Sequence, residues 1–205
     1  MSPAPSEEEP TARLFVALDL PEDVRGGITA WQADELRDPA LRPVPAEALH
    51  LTLCFLGHLP EREVPRMGGL VAAVAPRAVE LMLRAEPVTR GRPPSLYALE
   101  APSEAAVELQ AELSASLAQA GLYEPEQRPF WPHVTVARVR RQGGGRPRPQ
   151  RVKDPPGPLP GDLLQPFEAV RIALYRSNLR SHGARYVSLT RLELPPAGAG
   201  SAKKR

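Results

Sequence analysis

Two histidines of the chain occur in the same four-residue motif, in which one aliphatic residue separates a histidine from a threonine. The first copy begins at His50 and reads HLTL, and the second begins at His133 and reads HVTV. Each copy lies in an apolar run that predicts a β-strand, where residues i and i+2 share a face. His50 and Thr52 should therefore face one side of their strand, and His133 and Thr135 should do the same on theirs.

Two imidazoles and two hydroxyls that face one cleft would suit acid–base chemistry at a phosphate. Imidazole has an ordinary pKa of about 6.5, so a neutral ring can take a proton from a nucleophile while a charged ring protonates a leaving group. Threonine hydroxyls can donate hydrogen bonds to anionic oxygen atoms. A base, an acid and such donors are the groups that displacement at a phosphodiester requires.

Other interpretations of the motifs are weaker. A single histidine on an apolar strand is usually structural, but two motif copies that hold two of the four histidines favour a function. Zinc usually takes three or four His, Cys or carboxylate ligands, and neither motif contains an acid, so we expect no metal and no cofactor. By strand parity Cys54 shares the face of His50 and Phe55 lies opposite, yet a free cysteine is most often a small buried hydrophobe.

The composition is that of a globular protein. The chain has 205 residues, of which 42% are hydrophobic and 24% charged, and its net charge is +2. A single cysteine excludes an internal disulfide and favours a reducing compartment. The acidic start MSPAPSEEEP lacks the apolar core of a signal peptide, and no run approaches the roughly 18 apolar residues of a membrane span. We therefore expect a cytoplasmic protein that does not enter a membrane.

Strand and helix patterns alternate on both sides of the motifs. Strands are expected at 13–20, 50–57, 79–88, 95–101, 132–140, 167–177 and 184–194, and helices at 21–36, 60–77 and 103–121. Gly57 should end the second strand, while Ser103 and Gly121 should cap the third helix, with Val107 on its apolar face. This order favours an α+β fold of mostly antiparallel strands, and the two motif strands suggest two similar halves.

The domain boundaries follow from composition. We expect one domain over residues 12–194, with disordered tails at 1–11 and 195–205 that are polar or rich in small residues. Residues 141–165 are rich in Gly, Pro and Arg, which predicts a flexible basic loop within this domain.

The paired motifs resemble those of the two-histidine phosphoesterase superfamily, and more specifically the RNA 2',3'-cyclic phosphodiesterases, which are also called 2'-5' RNA ligases. Four segments carry the resemblance: RLFVALDLP at 13–21, LHLTLCFLG at 49–57, RPFWPHVTVAR at 128–138 and LYRSNLRSHGARYVSL at 174–189. The resemblance implies a bilobal α+β fold. Two mostly antiparallel sheets with flanking helices would be related by a pseudo-twofold axis, with the active-site cleft between the lobes.

The resemblance also implies an activity, which is metal-independent hydrolysis of a terminal 2',3'-cyclic phosphate on RNA to a 2'-phosphate. His50 matches the proton donor of the family and His133 matches the proton acceptor, while Thr52 and Thr135 match the threonines that hold the phosphate. Run backwards with an RNA 5'-hydroxyl in place of water, the same groups would form a 2'-5' linkage. The implied partner is RNA with a 2',3'-cyclic phosphate terminus, and we expect a monomer.

Three further residues have two interpretations each. Arg138 matches a family arginine five positions after the second histidine, which suggests a phosphate clamp. Its strand parity disagrees with that of His133, so either a bulge re-aims Arg138 or it is a surface charge. Phe15 either lines the cleft and touches the base or packs in the core. Trp131 either stacks on a nucleobase or packs beside Pro132.

A basic stretch follows the second motif and extends into the expected loop. It comprises Arg138, Arg140, Arg141, Arg146, Arg148, Arg151 and Lys153. This stretch either attracts RNA phosphates, which would make RNA affinity depend on salt, or is only a solvated charged loop.

Two rival functions stay open. The same catalytic groups can act on another cyclic or 2'-5'-linked nucleotide, because base preference is not visible in the sequence. A non-catalytic RNA-binding protein is the second rival, and the two titrating histidines argue against it because binding alone does not need them.

Overall fold

A computed structural model describes residues 9–143, 147–180 and 183–196. Most of the two expected tails, namely residues 1–8 and 197–205, lies outside the described residues, as does Arg146 of the basic stretch. Within the described ranges, no helix has the length and apolar character needed to cross a lipid bilayer.

The chain forms twelve strands and three α-helices in its described part. The strands are β1 (Thr11–Asp19), β2 (Leu41–Pro43), β3 (His50–Pro60), β4 (Glu80–Leu81), β5 (Val88–Arg90), β6 (Leu96–Glu100), β7 (His133–Val139), β8 (Arg141–Gln142), β9 (Arg148–Pro149), β10 (Phe167–Glu168), β11 (Arg171–Arg180) and β12 (Gly183–Glu193). The helices are α1 (Glu22–Glu35), α2 (Val64–Ala72) and α3 (Glu104–Gln119). The α+β class and the antiparallel pairing expected from the sequence are confirmed.

Three local expectations are wrong. The strand expected at 79–88 is divided between the two-residue β4 and the start of β5, and the helix expected at 60–77 is limited to α2. Ser103 does cap α3, since its hydroxyl accepts a hydrogen bond from the backbone N–H of Ala106 at 3.2 Å. Val107, however, is 43% exposed, and the buried face of α3 is formed by Ala106, Leu109, Leu113 and Leu117.

The main sheet has eight strands in the order β12-β11-β1-β3-β7-β6-β5, with β2 also paired to β7. Its two four-stranded halves meet between β3 and β7, where Leu51 lies opposite Val134. The two sheets expected from the resemblance are therefore joined along the two motif strands. Because Leu51 and Val134 are fully buried, the histidines beside them project from the other face of the sheet.

A β-bulge interrupts β3 directly after its motif. Thr52 is paired with Ala17 and Cys54 with Val16, so that Leu53 is an extra residue without a partner across the strand pair. Such a bulge places two successive residues opposite one and changes the phase of the side chains that follow.

The phase change reverses two expectations based on strict alternation. Cys54 is 1% exposed and packs in the core instead of sharing the face of His50, whereas Phe55 is 44% exposed instead of being buried. The guanidinium of Arg13 lies 4.8 Å from the centre of the Phe55 ring. Gly57 does not end the strand: it has a φ of 74° at a second irregularity, and β3 continues to Pro60.

Candidate active site

Arg138 reaches the face of the second motif because β7 contains a bulge equivalent to that in β3. Thr135 is paired with Ala98 and Ala137 with Tyr97, which leaves Val136 without an opposed residue on β6. Val136 and Ala137 are consequently both buried, and Arg138 is exposed. The conflict between family position and strand parity at Arg138 is thus explained by a bulge.

A small cavity of about 60 Å³ lies at the junction of the two halves and collects the motif residues. Its lining consists of Val44, Ala48, His50, Thr52, His133, Thr135, Arg138 and Tyr186. The structure therefore brings together five of the six candidate site residues, which the sequence separates by as many as 88 positions, from His50 to Arg138. Two imidazoles, two aliphatic hydroxyls, a phenol and a guanidinium surround a space suited to a small anion.

His50 is supported by a cluster of aromatic rings. The ring of Phe15 is stacked on His50 with centroids 4.9 Å apart, and Tyr186 meets His50 edge-on at 5.3 Å. Behind Phe15, the ring of Tyr175 is stacked at 5.2 Å, and its hydroxyl donates a hydrogen bond to Asp19 Oδ1 at 2.6 Å. These contacts fix the plane of the His50 ring and exclude water from one of its faces.

Of the two interpretations of Phe15, packing in the core is the one that agrees with the structure. It is only 3% exposed and is absent from the lining of the small cavity, so in this structure it does not offer a face to a nucleobase. Its contact is with the ring of His50, and we therefore describe it as a positioning residue that packs in the core.

The surroundings of His50 disfavour a positive charge on its ring. The pKa of His50 is lowered to about 4, with burial as the largest cause and the nearby charges of Arg138 and His133 acting in the same direction, while a hydrogen bond with the backbone of Ala48 opposes them. The ring is consequently neutral at pH 7 in the unliganded protein. Nε2 of His50 lies 3.1 Å from Thr52 Oγ1, a distance at which the hydroxyl can donate to it.

His133 is supported by one indole ring instead of a cluster. Trp131 is stacked on His133 with centroids 3.8 Å apart, and its Nε1–H donates a hydrogen bond to Glu100 Oε1 at 2.8 Å. The guanidinium of Arg90 lies 4.2 Å from the centre of the Trp131 ring. The indole contacts both His133 and Arg90, so it can orient His133, whereas stacking on a nucleobase stays a prediction.

Burial also lowers the pKa of His133, and the positive charges of Arg90 and Arg138 act in the same direction. The backbone carbonyl of Trp131 and the carboxylate of Glu100 raise that pKa and so oppose the shift. Both histidines are therefore poised as neutral rings before an anion binds.

The two histidine rings are oriented by the same kind of hydrogen bond to the backbone. Nδ1 of His133 lies 2.7 Å from the carbonyl oxygen of Trp131, and His50 is hydrogen-bonded to the backbone of Ala48. In each case the partner is the residue two positions earlier in the chain. When Nδ1–H donates to that carbonyl, the neutral ring keeps the lone pair of Nε2 available for chemistry.

Sequence reasoning missed Tyr186 and the role of Arg90. Tyr186 lies on β12, three places from β3 in the sheet, yet its ring is 5.3 Å from that of His50. Both residues lie in ordinary strand patterns, so no local signal distinguishes them. Only the pairing of β12 with β11 and of β5 with β6 brings them to the site.

The donor set of the site fits an anion better than a metal. Across residues 9–143, 147–180 and 183–196, no group of three or more His, Cys, Asp or Glu side chains is arranged to hold a metal ion. The cavity itself contributes no carboxylate, whereas hydroxyls and a guanidinium are donors to anionic oxygen.

Comparisons with known proteins identify relatives of this chain. The family model described as the 2'-5' RNA ligase superfamily matches residues 20–178. An RNA 2',3'-cyclic phosphodiesterase of Escherichia coli is 30% identical over 183 residues, which cover 89% of this chain and 96% of that protein. A protein of the same name from Thermus thermophilus is 34% identical over 191 residues, covering 89% of this chain and 90% of its own length.

Solved structures show the same similarity. The crystal structure of E. coli LigT complexed with 3'-AMP has a TM-score of 0.72 and 27% identity, and the match covers 90% of this chain and 99% of that one. The crystal structure of TT0787 from Thermus thermophilus has a TM-score of 0.73 and 29% identity, with coverage of 90% and 99%.

Proposed function

The chain belongs to the 2'-5' RNA ligase superfamily, and on this premise we propose that it hydrolyses the terminal 2',3'-cyclic phosphate of RNA at the cavity between its two motif strands. The relatives named RNA 2',3'-cyclic phosphodiesterase support this reaction. The observation that carries the proposal is the meeting of His50, His133, Thr52, Thr135 and Arg138 around one small cavity.

The proposed reaction uses each histidine once. Nε2 of His133 accepts a proton from water as the water oxygen attacks phosphorus. The bond between phosphorus and the 3'-oxygen breaks, and His50 gives a proton to that oxygen. The products are a free 3'-hydroxyl and a 2'-phosphate, and one proton has moved from water to His133 and another from His50 to the leaving oxygen. The assignment of donor and acceptor follows the family resemblance.

His50 must gain its proton after the substrate has bound. Its pKa of about 4 means that the unliganded ring carries almost no charge at pH 7. A bound phosphate adds a negative charge beside the ring, and an opposite charge within a few Å raises the pKa of an imidazole. Substrate binding therefore raises the pKa of His50, so that this histidine is protonated only in the complex.

Thr52, Thr135 and Arg138 would bind the non-bridging oxygens of the phosphate. Their donors converge on the cavity from both motif strands, and Arg138 adds the one positive charge in the lining. Negative charge on these oxygens grows in the transition state, so donors already in place stabilise it more than the ground state.

The reverse reaction needs no additional group. If an RNA 5'-hydroxyl replaced water, the same acid and base in exchanged roles would form a 2'-5' linkage. Water is in large excess in dilute solution, so hydrolysis is the expected net direction. That the protein acts as a monomer and in the cytoplasm stays a prediction from its sequence.

One incubation tests the reaction and its metal independence together. The protein is mixed with EDTA and a short RNA that ends in a 2',3'-cyclic phosphate, and the terminal phosphate is identified by mass and by its resistance to 3'-specific phosphatase. We expect a 2'-phosphate. A 3'-phosphate would overturn the assignment of the leaving oxygen, dependence on added metal would overturn the metal-free mechanism, and an unchanged cyclic end would overturn the proposed substrate.

A further inference from the structure

A second and larger cavity adjoins the small one. Its volume is about 740 Å³, and its lining consists of Arg42, Ser95, Arg138, Val139, Arg140, Arg141 and Gln150. We call it the arginine cavity, because four of these seven residues are arginine and none is acidic. Arg138 lines both cavities, so a chain bound in the arginine cavity would be continuous with a group bound in the small one.

The arginines are arranged in a way that is unfavourable without an anion. Arg42 on β2 is directly opposite Arg138 on β7, and like charges at opposed positions of a strand pair repel each other. None of the ion pairs resolved among the described residues involves the four guanidiniums of this cavity. A negatively charged ligand between the arginines would remove this repulsion.

The backbone that carries these arginines is held in place by hydrogen bonds. Arg140 N–H donates to Ala40 O at 2.7 Å, and Gln150 N–H donates to Arg140 O at 2.7 Å. The carboxylate of Asp38 accepts hydrogen bonds from the backbone N–H groups of Lys153 and Asp154 at 2.6 and 3.0 Å, which ties the basic stretch to the start of β2. The guanidiniums thus project from a fixed frame, which lowers the entropic cost of binding a ligand.

The opposite half of the sheet offers a weaker candidate. A cavity of about 280 Å³ there is lined by Arg13, His58, Glu61 and Arg176 among others. Arg176 forms an ion pair with Glu61 at 3.2 Å, and Arg13 lies over the ring of Phe55 and donates to Ser177 Oγ at 3.3 Å. These cations already have partners, and the cavity shares no lining residue with the small one.

We propose that the arginine cavity binds the backbone phosphates of the RNA strand that precedes the cyclic end. The proposal rests on the proposed function, since the cyclic phosphate in the small cavity sets the position of the strand. The strand would leave past Arg138 and cross Arg42, Arg140 and Arg141. Non-specific binding of single strands by a positively charged groove follows the same physics. The enzyme would then select RNA ends over free cyclic nucleotides.

The test compares two substrates with the same terminal nucleoside, a nucleoside 2',3'-cyclic phosphate and an eight-nucleotide RNA with a 2',3'-cyclic phosphate end. We expect R42A/R140A to raise KM for the RNA by about tenfold without a change in kcat, since two charge-assisted contacts are lost. Its kcat/KM for the mononucleotide should equal that of the parent protein. R13A is the matched control, because it removes an arginine from the other half, and it should leave both substrates unaffected.

Salt dependence and stability separate binding from a structural role. Each lost contact to a single strand should reduce the slope of log affinity against log salt by about 0.7, hence by about 1.4 for R42A/R140A. R42K/R140K retains the charges and should retain most of the slope. R42A should melt no lower than the parent, because removing one of two opposed arginines relieves repulsion. A lower Tm together with equal losses on both substrates would indicate a structural role and overturn the proposal.

Failure of the two proposals is distinguishable. Binding of the same RNA with a 5'-fluorescent label is measured by anisotropy and needs no turnover. If the parent opens neither cyclic phosphate, the proposed function fails. The anisotropy comparison of R42A/R140A with R13A still tests whether the arginine cavity binds RNA. Equal RNA affinity in these two variants would overturn the cavity proposal, as would a length-dependent loss confined to R13A, which would place the strand on the other half.

Discussion

The two motif strands, β3 and β7, place a histidine and a threonine in the same way but differ in charge at one outward-facing position. Each has a histidine, a threonine two residues later and a bulge after that threonine. The bulge turns the fifth residue after the histidine outward: it is Phe55 on β3 and Arg138 on β7. Only Arg138 lines the small cavity. The fold thus supplies two equivalent positions, and the sequence makes one of them cationic.

The supports of the two histidines differ as well. His50 lies against three aromatic residues of its own half, namely Phe15, Tyr175 and Tyr186. His133 lies against Trp131, whose partners Arg90 and Glu100 carry opposite charges. A nearly symmetric pair of motifs has therefore become an asymmetric pair of environments, which is what separate acid and base roles require.

The largest expected effect follows from removing either imidazole, and it tests whether the two halves contribute equally. H50A and H133A should each lower kcat on the cyclic-phosphate RNA by about 10³-fold, and the double variant should be little worse than either single one. Single-turnover rates measure this effect. RNA affinity measured by anisotropy should stay within about threefold of the parent. If either variant kept a tenth of the parent activity, the histidine that it replaces would not be the acid or the base of the reaction.

The next effect concerns the outward-facing position at which the motif strands differ in charge. R138M should lower kcat/KM by about 10²-fold, as expected for the loss of a donor to the charged oxygens. F55L changes the equivalent residue on β3 and is the matched control, which should retain nearly full activity. Steady-state rates on the same RNA compare them. Equal losses in the two variants would show that the positions are functionally equivalent and contradict the asymmetry.

The same arginine should shift the pH dependence. Burial chiefly, and the charge of Arg138 in addition, lowers the pKa of both His50 and His133, so the bell-shaped profile of kcat/KM should have its optimum below pH 6.5. Removing that charge in R138M raises both pKa values and moves the optimum to higher pH. Rates between pH 4 and 9 test the shift. A flat profile from pH 5 to 9 in the parent would contradict acid–base catalysis by histidines.

A smaller effect is expected at the support of His133. W131A removes a stacked ring, and such pairs are worth about 0.5–1.5 kcal/mol, so kcat should fall about fivefold while KM for the RNA changes little. W131F keeps an aromatic face and should recover most of the rate. If W131A instead raised KM alone, Trp131 would contact the substrate and would not position the histidine.

The smallest effect is on the pH dependence of protein stability, and it tests whether His50 is buried in the folded protein. Its folded pKa of about 4 lies below the value of about 6.5 expected in the unfolded chain, so the unfolded chain binds more protons between these pH values. The free energy of unfolding should therefore fall as pH drops from about 6.5 towards 4. H50Q lacks this penalty and should lose about 2 kcal/mol less between pH 7 and 4.5, as measured by urea unfolding. Parallel curves for parent and variant would contradict the burial.

Sequence periodicity predicted the long elements of this fold well. Strands β1, β3, β7, β11 and β12 and helices α1 and α3 lie where apolar alternation or capping residues indicated them. The errors within β3 share a cause, since strict alternation cannot detect an inserted residue. Cys54 and Phe55 were therefore assigned to the wrong faces of β3, and Gly57 was mistaken for a strand end.

The amino-acid sequence alone was enough to select the groups to which we assign the chemistry. Two copies of one motif identify the histidines and threonines, because their i, i+2 spacing places each pair on the same face of its strand. Tertiary structure decided what surrounds these groups. The β3–β7 junction sets the two imidazoles around one cavity, two bulges turn Phe55 and Arg138 outward, and packing buries Phe15 behind His50. Burial and nearby charge set a pKa, and both depend on residues far apart in the chain that only folding brings together.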